Sequence, residues 1–241
     1  MIYNQDLRKK LIENAFNKKM GHVGSALSSL DCVNYLFDQI MAPEDIFILS
    51  KGHAAMALYT VLEKYGKKPD WTMHPELNEE KGIYATTGSL GHGLPIAIGR
   101  AYAKKIKGTG KVFVLLGDCE LAEGSIWESF MLLNRLKLDN LFVFIDWNKY
   151  GGLTDPVSET VGLDGENIAA KLRAFGFNTI ILDGHDEKEL KTINQLKDGK
   201  TIVILDTIKG KGVETLEKTH FHGYYFHQNP EEYKKALADL I

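Results

Sequence analysis

The chain has 241 residues, 44% of them hydrophobic and 25% charged, and a net charge of −3 at pH 7. This is the profile of a globular protein with no global electrostatic draw toward nucleic acid or membrane. No run of about 18 apolar residues is available to span a bilayer. Two cysteines without metal-type spacing, Cys32 and Cys119, and an N-terminus without a signal-peptide pattern point to a reducing, cytoplasmic setting.

In chain order, Leu7, Leu11, Ile12, Ala15 and Phe16 recur at helical spacing and predict an opening amphipathic helix. Residues 20–25 break it, and a second helical pattern carries Leu30, Val33, Leu36, Phe37 and Ile40 up to Pro43. Residues 45–49 read as a short buried strand, followed by a tight turn at 50–53 and a helix over 54–65. The stretch 66–84 lacks periodicity and reads as a long loop, a type usually functional in a compact domain. A helix rich in small residues follows Pro95 through Ala97, Gly99, Ala101 and Ala103. Further strands are predicted at 112–116, 141–145, 179–182 and 202–205, with helices at about 122–138, 165–175, 186–197 and 230–240. The strand runs are continuously apolar, as expected for parallel strands covered on both faces. Their alternation with helices predicts an α/β fold, a doubly wound, mostly parallel sheet with helices on both faces. With no repeat, low-complexity tract or linker, residues 1–241 read as a single domain.

Ligands of such sheets sit beyond the carboxyl ends of the strands. The rule selects residues 50–53, 117–120 and 146–148. Asp118 directly follows one strand and precedes a helix, so its carboxylate suits a hard cation that neutralises phosphate at the helix start. Asn148 ends the neighbouring strand, and its amide oxygen suits the same octahedral sphere. Taken singly, each is better explained as an N-cap or a turn residue. Their matched positions on neighbouring strands favour the shared cation.

These residues carry a resemblance. Gly117-Asp118-Cys119-Glu120-Leu121-Ala122-Glu123-Gly124-Ser125-Ile126-Trp127-Glu128, closing on Asp146-Trp147-Asn148, resembles the thiamine-diphosphate motif of transketolases. Residues 21–25, 49–54, 87–91 and 207–212 match the same family in order, over about residues 5–223. The resemblance implies thiamine diphosphate and Mg²⁺ (or Ca²⁺ or Mn²⁺) as cofactors, with Asp118, Asn148 and the carbonyl of Tyr150 holding the metal. It implies that His53 and His222 contact the diphosphate beside the backbone at Gly117 and Cys119, and that Gly88 and Leu90 lie near the aminopyrimidine. His22, His74 and His53 would serve the reacting sugar. Glu123 and Glu128 would belong to a carboxylate network at a subunit interface, Glu123 with the cofactor-binding residues and Glu128 with the catalytic ones. His185 and His227 match no motif and read as surface or core residues. His220 lies two residues from the better match at His222, and His92 stands where many members have Gln.

The implied activity is transfer of a two-carbon ketol unit between sugar phosphates. The family's activating Glu lies on a pyrimidine-binding domain that this chain does not carry. The resemblance therefore implies a second chain bearing the pyrimidine-binding and C-terminal domains, in a heterotetramer, with sugars as substrates and neither nucleic acid nor membrane as a partner. The family usually has Gly at position 119, where a bare backbone lets the amide approach the diphosphate, so Cys119 could weaken cofactor binding. Alternatives are a deoxyxylulose-phosphate synthase, the α chain of a 2-oxoacid dehydrogenase, or a non-catalytic scaffold. A dinucleotide or P-loop site is disfavoured, since neither glycine pattern occurs in the right context. Residues 66–84 and 149–156 are expected to shape acceptor access.

Overall fold

Each apolar run becomes a strand, and most segments between them become helices. In the computed structural model, which describes residues 3–152, 155–160 and 162–240, the elements are α1 (Gln5–Asn17), α2 (Val23–Tyr35), β1 (Ile46–Leu49), α3 (Ala55–Lys64), α4 (Gly93–Lys107), β2 (Val112–Gly117), α5 (Gly124–Leu136), β3 (Leu141–Trp147), α6 (Val157–Thr160), α7 (Gly165–Ala174), β4 (Asn178–Asp183), α8 (Glu187–Leu190), β5 (Thr201–Asp206), α9 (Glu214–Thr219) and α10 (Pro230–Ala238). The strands pair in parallel in the order β1-β2-β3-β5-β4. The runs are continuous because successive side chains serve opposite faces. Phe47, Leu49, Phe113, Leu115, Phe144 and Val203 pack with residues of α1, α2 and α3. Ile46, Ile48, Val112, Val114, Val143 and Ile202 pack with residues of α4, α5 and α7.

Three expectations change. The break at 20–25 narrows to a left-handed turn at His22 (φ 60°), so that Gly24 and Ser25 already lie in α2. The helix expected over 186–197 divides into α8 and a 3-10 stretch, Lys191–Gln195. β4, like β1, is an edge strand, and Ile181 is 40% exposed rather than covered. The 66–84 loop is irregular apart from a 3-10 turn at Glu79–Lys81 and a bridge between Asn78 and Ile83. Among the described residues, no helix is long and apolar enough to cross a membrane.

Every residue of α2 is buried, although Ser25, Ser28, Ser29, Asp31 and Asn34 are polar. Buried polar groups persist where they find partners. Ser29 donates to the Ser25 carbonyl at 2.7 Å, and Asp31 accepts from Arg8, from Asn4 at 3.0 Å and from His185 Nδ1 at 2.7 Å. A buried ion pair is tolerated when further hydrogen bonds complete it. Arg8 completes this one by donating to the carbonyls of Leu27 and Lys211, each at 2.9 Å. His185 therefore joins a buried network, and its Nε2 accepts from the Ile208 amide at 2.9 Å.

Candidate active site

Parallel alignment brings the carboxyl ends of β1, β2, β3 and β5 to one edge. A cavity of about 230 Å³ opens there, lined by His22, Ser25, Lys51, His53, His74, Gly88, Leu90, Gly117, Asp118, Cys119, Glu120, Asn148, Tyr150, Gly151, Gly152 and His222. A larger open cleft of about 1060 Å³ runs along α1 and the 183–188 segment. Its walls mix charged side chains of both signs with Tyr3, Asn4, Gln5 and Leu7, and residues of the selected 50–53, 117–120 and 146–148 segments line the smaller cavity instead.

The floor is built from charged groups whose types alone would place them in solvent. Asp146 pairs in register with Gly117, so Asp118 sits directly beyond it. Asp146 is buried, ion-pairs with the fully buried Lys51, and accepts from Ser28 Oγ at 2.6 Å and from Thr207 Oγ1. Burial alone would raise its pKa, but Lys51 and these hydrogen bonds outweigh burial and hold it below the usual carboxylate value. Among the described residues, Asp118 has no such paired cation. Burial, reinforced by Asp146, pushes its carboxyl up to about 7, although it accepts from the Cys119 amide at 2.8 Å and the Lys149 amide at 2.7 Å. Glu120, fully buried, accepts from Ser50 Oγ at 2.6 Å, Gly91 N at 3.0 Å and Gly117 N at 2.9 Å. One side chain thus ties together the exits of β1 and β2 and the 87–92 loop.

Four imidazoles form the opposite wall. The His22 ring lies 4.6 Å from His222, 5.6 Å from His53 and 6.4 Å from His74, centroid to centroid. Burial depresses the pKa of His22, drives that of His53 well down, and lowers His222 to about 4. These rings are neutral at pH 7 and can accept protons or hydrogen bonds. Among the described residues, Nδ1 of His22 and of His222 is buried without a hydrogen-bond partner. Close backbone approach shapes the cavity as well. A Cβ on Gly88, whose φ is +145°, would meet the His74 ring at 2.9 Å, and one on Gly52 would meet the backbone of Thr87 and Gly88 at 2.6 Å. His22, Lys149 and His220 hold left-handed conformations (φ 60°, 74° and 52°), the local strain that functional sites often carry.

Of the residues singled out from the sequence, His22, His53, His74, Gly88, Leu90, Gly117, Asp118, Cys119, Asn148, Tyr150 and His222 all line this cavity. Glu123 and Glu128 do not; both are exposed at the start of α5, and within this chain neither reaches the cavity. Within the 149–156 stretch, residues 153 and 154 lie outside the described residues.

Lys51, Glu120 and Asp146 lie in the selected segments and Lys209 in the 207–212 match, but the sequence assigns none of the four a role of its own. Lys209 is buried and donates to the Gly151 carbonyl at 2.9 Å and the Tyr150 carbonyl at 3.5 Å. Burial pulls its pKa down to about 8. The usable signal was its place in the 207–212 motif. His220 stacks on Tyr150, centroids 3.6 Å apart, which braces the 149–152 turn from outside.

Cys119 is accommodated by its neighbours. It has no left-handed φ, and its sulfur rests against Gly151, where an added Cβ would lie 2.2 Å from Sγ. Burial, with Asp118 adding to it, pushes the thiol up to about 11, which removes the thiolate a nucleophile requires.

The residues fit a phosphate-bearing cofactor held with a hard cation. Asp118 is a buried carboxylate without a paired counter-ion among the described residues, two of the imidazoles that line the cavity keep an unpartnered Nδ1, and the glycine-lined walls admit close backbone approach. Among the described residues, no group of three or more His, Cys, Asp or Glu is arranged to hold a metal. A cation here would draw on amide, carbonyl and phosphate oxygens, the ligand set of Mg²⁺.

Fold and site together define a parallel α/β protein whose strand-end cavity suits a phosphorylated cofactor. Residues 5–236 match the family described as "Transketolase, thiamine diphosphate binding domain", and the chain belongs to that family. It is 34% identical to an apulose-4-phosphate transketolase subunit from Phocaeicola vulgatus, over 99% of this chain and 92% of that one. It is also 35% identical to the human "Transketolase", over 88% of this chain but only 37% of that protein. The crystal structure of transketolase from Campylobacter jejuni superposes with a TM-score of 0.81 at 26% identity, over 98% of this chain and 42% of that one.

Proposed function

We propose that this chain is the cofactor-binding subunit of a divided transketolase, transferring a two-carbon ketol unit between sugar phosphates only with a second chain that carries the pyrimidine-binding and C-terminal domains. One observation carries the reading: the chain matches relatives named as subunits over nearly their whole length, but full-length transketolases over about two fifths. The assembly is proposed as a heterotetramer in the cytoplasm. The exposed Glu123 and Glu128 are then positioned to meet the partner.

In this reading Asp118, Asn148 and the Tyr150 carbonyl hold Mg²⁺, while His53, His222 and the backbone at Gly117, Gly88, Leu90 and Cys119 receive thiamine diphosphate. The cofactor, when bound, supplies the centre that stabilises a carbanion beside a former carbonyl. His22, His53 and His74 orient the sugar, and the neutral imidazoles of His22 and His53 accept hydrogen bonds from its hydroxyls. The packing of Cys119 on Gly151 argues against the scaffold alternative, because the β-carbon is housed without backbone strain.

Calorimetric titration of thiamine diphosphate with and without Mg²⁺ tests the site. Wild-type chain should bind in a Mg²⁺-dependent way, and Asp118→Asn should lose that dependence while still unfolding cooperatively. Undiminished binding by the variant would move the metal elsewhere. Ketol transfer by the isolated chain would overturn the requirement for a partner.

A further inference from the structure

Asn148 ends β3 with a side chain whose two orientations have the same shape. An amide turned by 180° exchanges an acceptor for a donor at no steric cost, so only its hydrogen-bond partners decide which end faces a ligand. A cation requires the oxygen. Asn148 Nδ2 lies 3.1 Å from Asp146 Oδ2, and Asn148 Oδ1 faces away, accepting from the Tyr150 amide at 3.2 Å.

We propose that Asp146 is a positioning residue that locks the Asn148 amide with its oxygen toward the cation site. The inference rests on the reading of Asn148 as a metal ligand. A carboxylate can only accept, so it tolerates the NH₂ end of the amide and rejects the oxygen end, which would set two lone-pair-bearing oxygens about 3 Å apart in a buried setting. Asp146 cannot swing away to permit the flip. Ser28 Oγ from α2 donates to it at 2.6 Å, and Lys51 Nζ from the exit of β1 and Thr207 Oγ1 from the exit of β5 hold it as well. The Ser25 carbonyl lies 3.0 Å from Ser28 Oγ, a longer alternative acceptor for its single proton. The Asn148 orientation is therefore set at the oxygen end by the Tyr150 amide and at the NH₂ end by Asp146. Three strand ends and one helix meet at Asp146, which is about as far inside the protein as a side chain can lie (1% exposed).

The test uses the full chain and two charge-balanced double variants, so that neither leaves Lys51 stranded. In Lys51→Met/Asp146→Asn, the oxygen at the Oδ2 position still accepts from Asn148. In Lys51→Met/Asp146→Leu, that acceptor is gone. Mg²⁺ affinity is measured by calorimetry at saturating thiamine diphosphate, with thermal melts to confirm folding. Loss of a residue that orients a metal ligand weakens binding about 10–100-fold, so the Leu variant should bind Mg²⁺ at least tenfold more weakly than the Asn variant. Equal affinities in two folded variants would overturn the inference. Absence of Mg²⁺-dependent binding by wild type would instead sink the metal-site reading beneath it.

If the Leu variant does not fold, the wild type still answers. With ¹⁵N-labelled asparagine, and Asn148→Ala for assignment, the Asn148 side-chain amide should resist hydrogen exchange before any cofactor is added. Rapid exchange there would overturn the lock.

Discussion

Gly151→Ala probes how the chain houses a cysteine beside its cofactor cavity. Gly151 has no left-handed φ, so alanine meets no backbone penalty, but its Cβ would lie 2.2 Å from Cys119 Sγ. Ordinary contacts of this kind are about 3.5–4 Å. Relief requires the thiol to rotate toward the cavity or the 149–152 turn to shift, and overpacking of this sort costs about 1–3 kcal/mol. For a chain of this size each kcal/mol lowers Tm by about 2–4 °C. Gly151→Ala should therefore melt about 2–12 °C lower, or lose cofactor affinity if the thiol escapes into the cavity. In a Cys119→Gly background the same change should be neutral or slightly stabilising, because alanine restricts the unfolded chain by about 0.4–1 kcal/mol. Thermal melts and thiamine diphosphate titrations on all four proteins form a double-mutant cycle, with an expected coupling of about 1–3 kcal/mol. Equal effects of Gly151→Ala in both backgrounds, on stability and on affinity, would refute the packing argument.

Two further perturbations test other parts of the site. Gly52→Ala places a Cβ 2.6 Å from backbone atoms of Thr87 and Gly88, which cannot rotate aside, and should cost about 3 kcal/mol by urea unfolding; a neutral result would mean the turn is not packed against the 87–88 loop. His222 titrates at about 4 in the folded chain, below its ordinary value of about 6.5. Its contribution to stability is therefore complete above the unfolded value and is lost as pH falls toward 4. The stability of wild type relative to His222→Gln should decline between pH 7 and pH 5, and a gap independent of pH would contradict the burial of this ring.

The strands were legible because a buried parallel strand is continuously apolar, a property of neighbouring residues in the chain. The cavity residues were legible for a related reason: acid, amide, imidazole and glycine groups sit at the ends of those runs, where any such sheet must place its ligand. The split of 186–197 and the exposure of Ile181 were not legible, since both depend on what packs against them. Glu123 and Glu128, expected at a subunit interface, are exposed and do not line the cavity, which local sequence alone does not reveal.

The buried charges mark the deeper boundary. Nothing in the local sequence says that Lys51, Glu120, Asp146 and Lys209 are buried, because an isolated charge is too costly to bury. They are buried because their partners arrive from elsewhere: Lys51 meets Asp146 across 95 positions, and Glu120 meets Ser50 across 70. The α/β pattern, the strand ends and the chemical types gathered there are written in the local order of residues. The strand order β1-β2-β3-β5-β4 and the charged floor beneath Asp118 arise only on folding, because a partner that cancels the cost of burial exists only once distant segments have met.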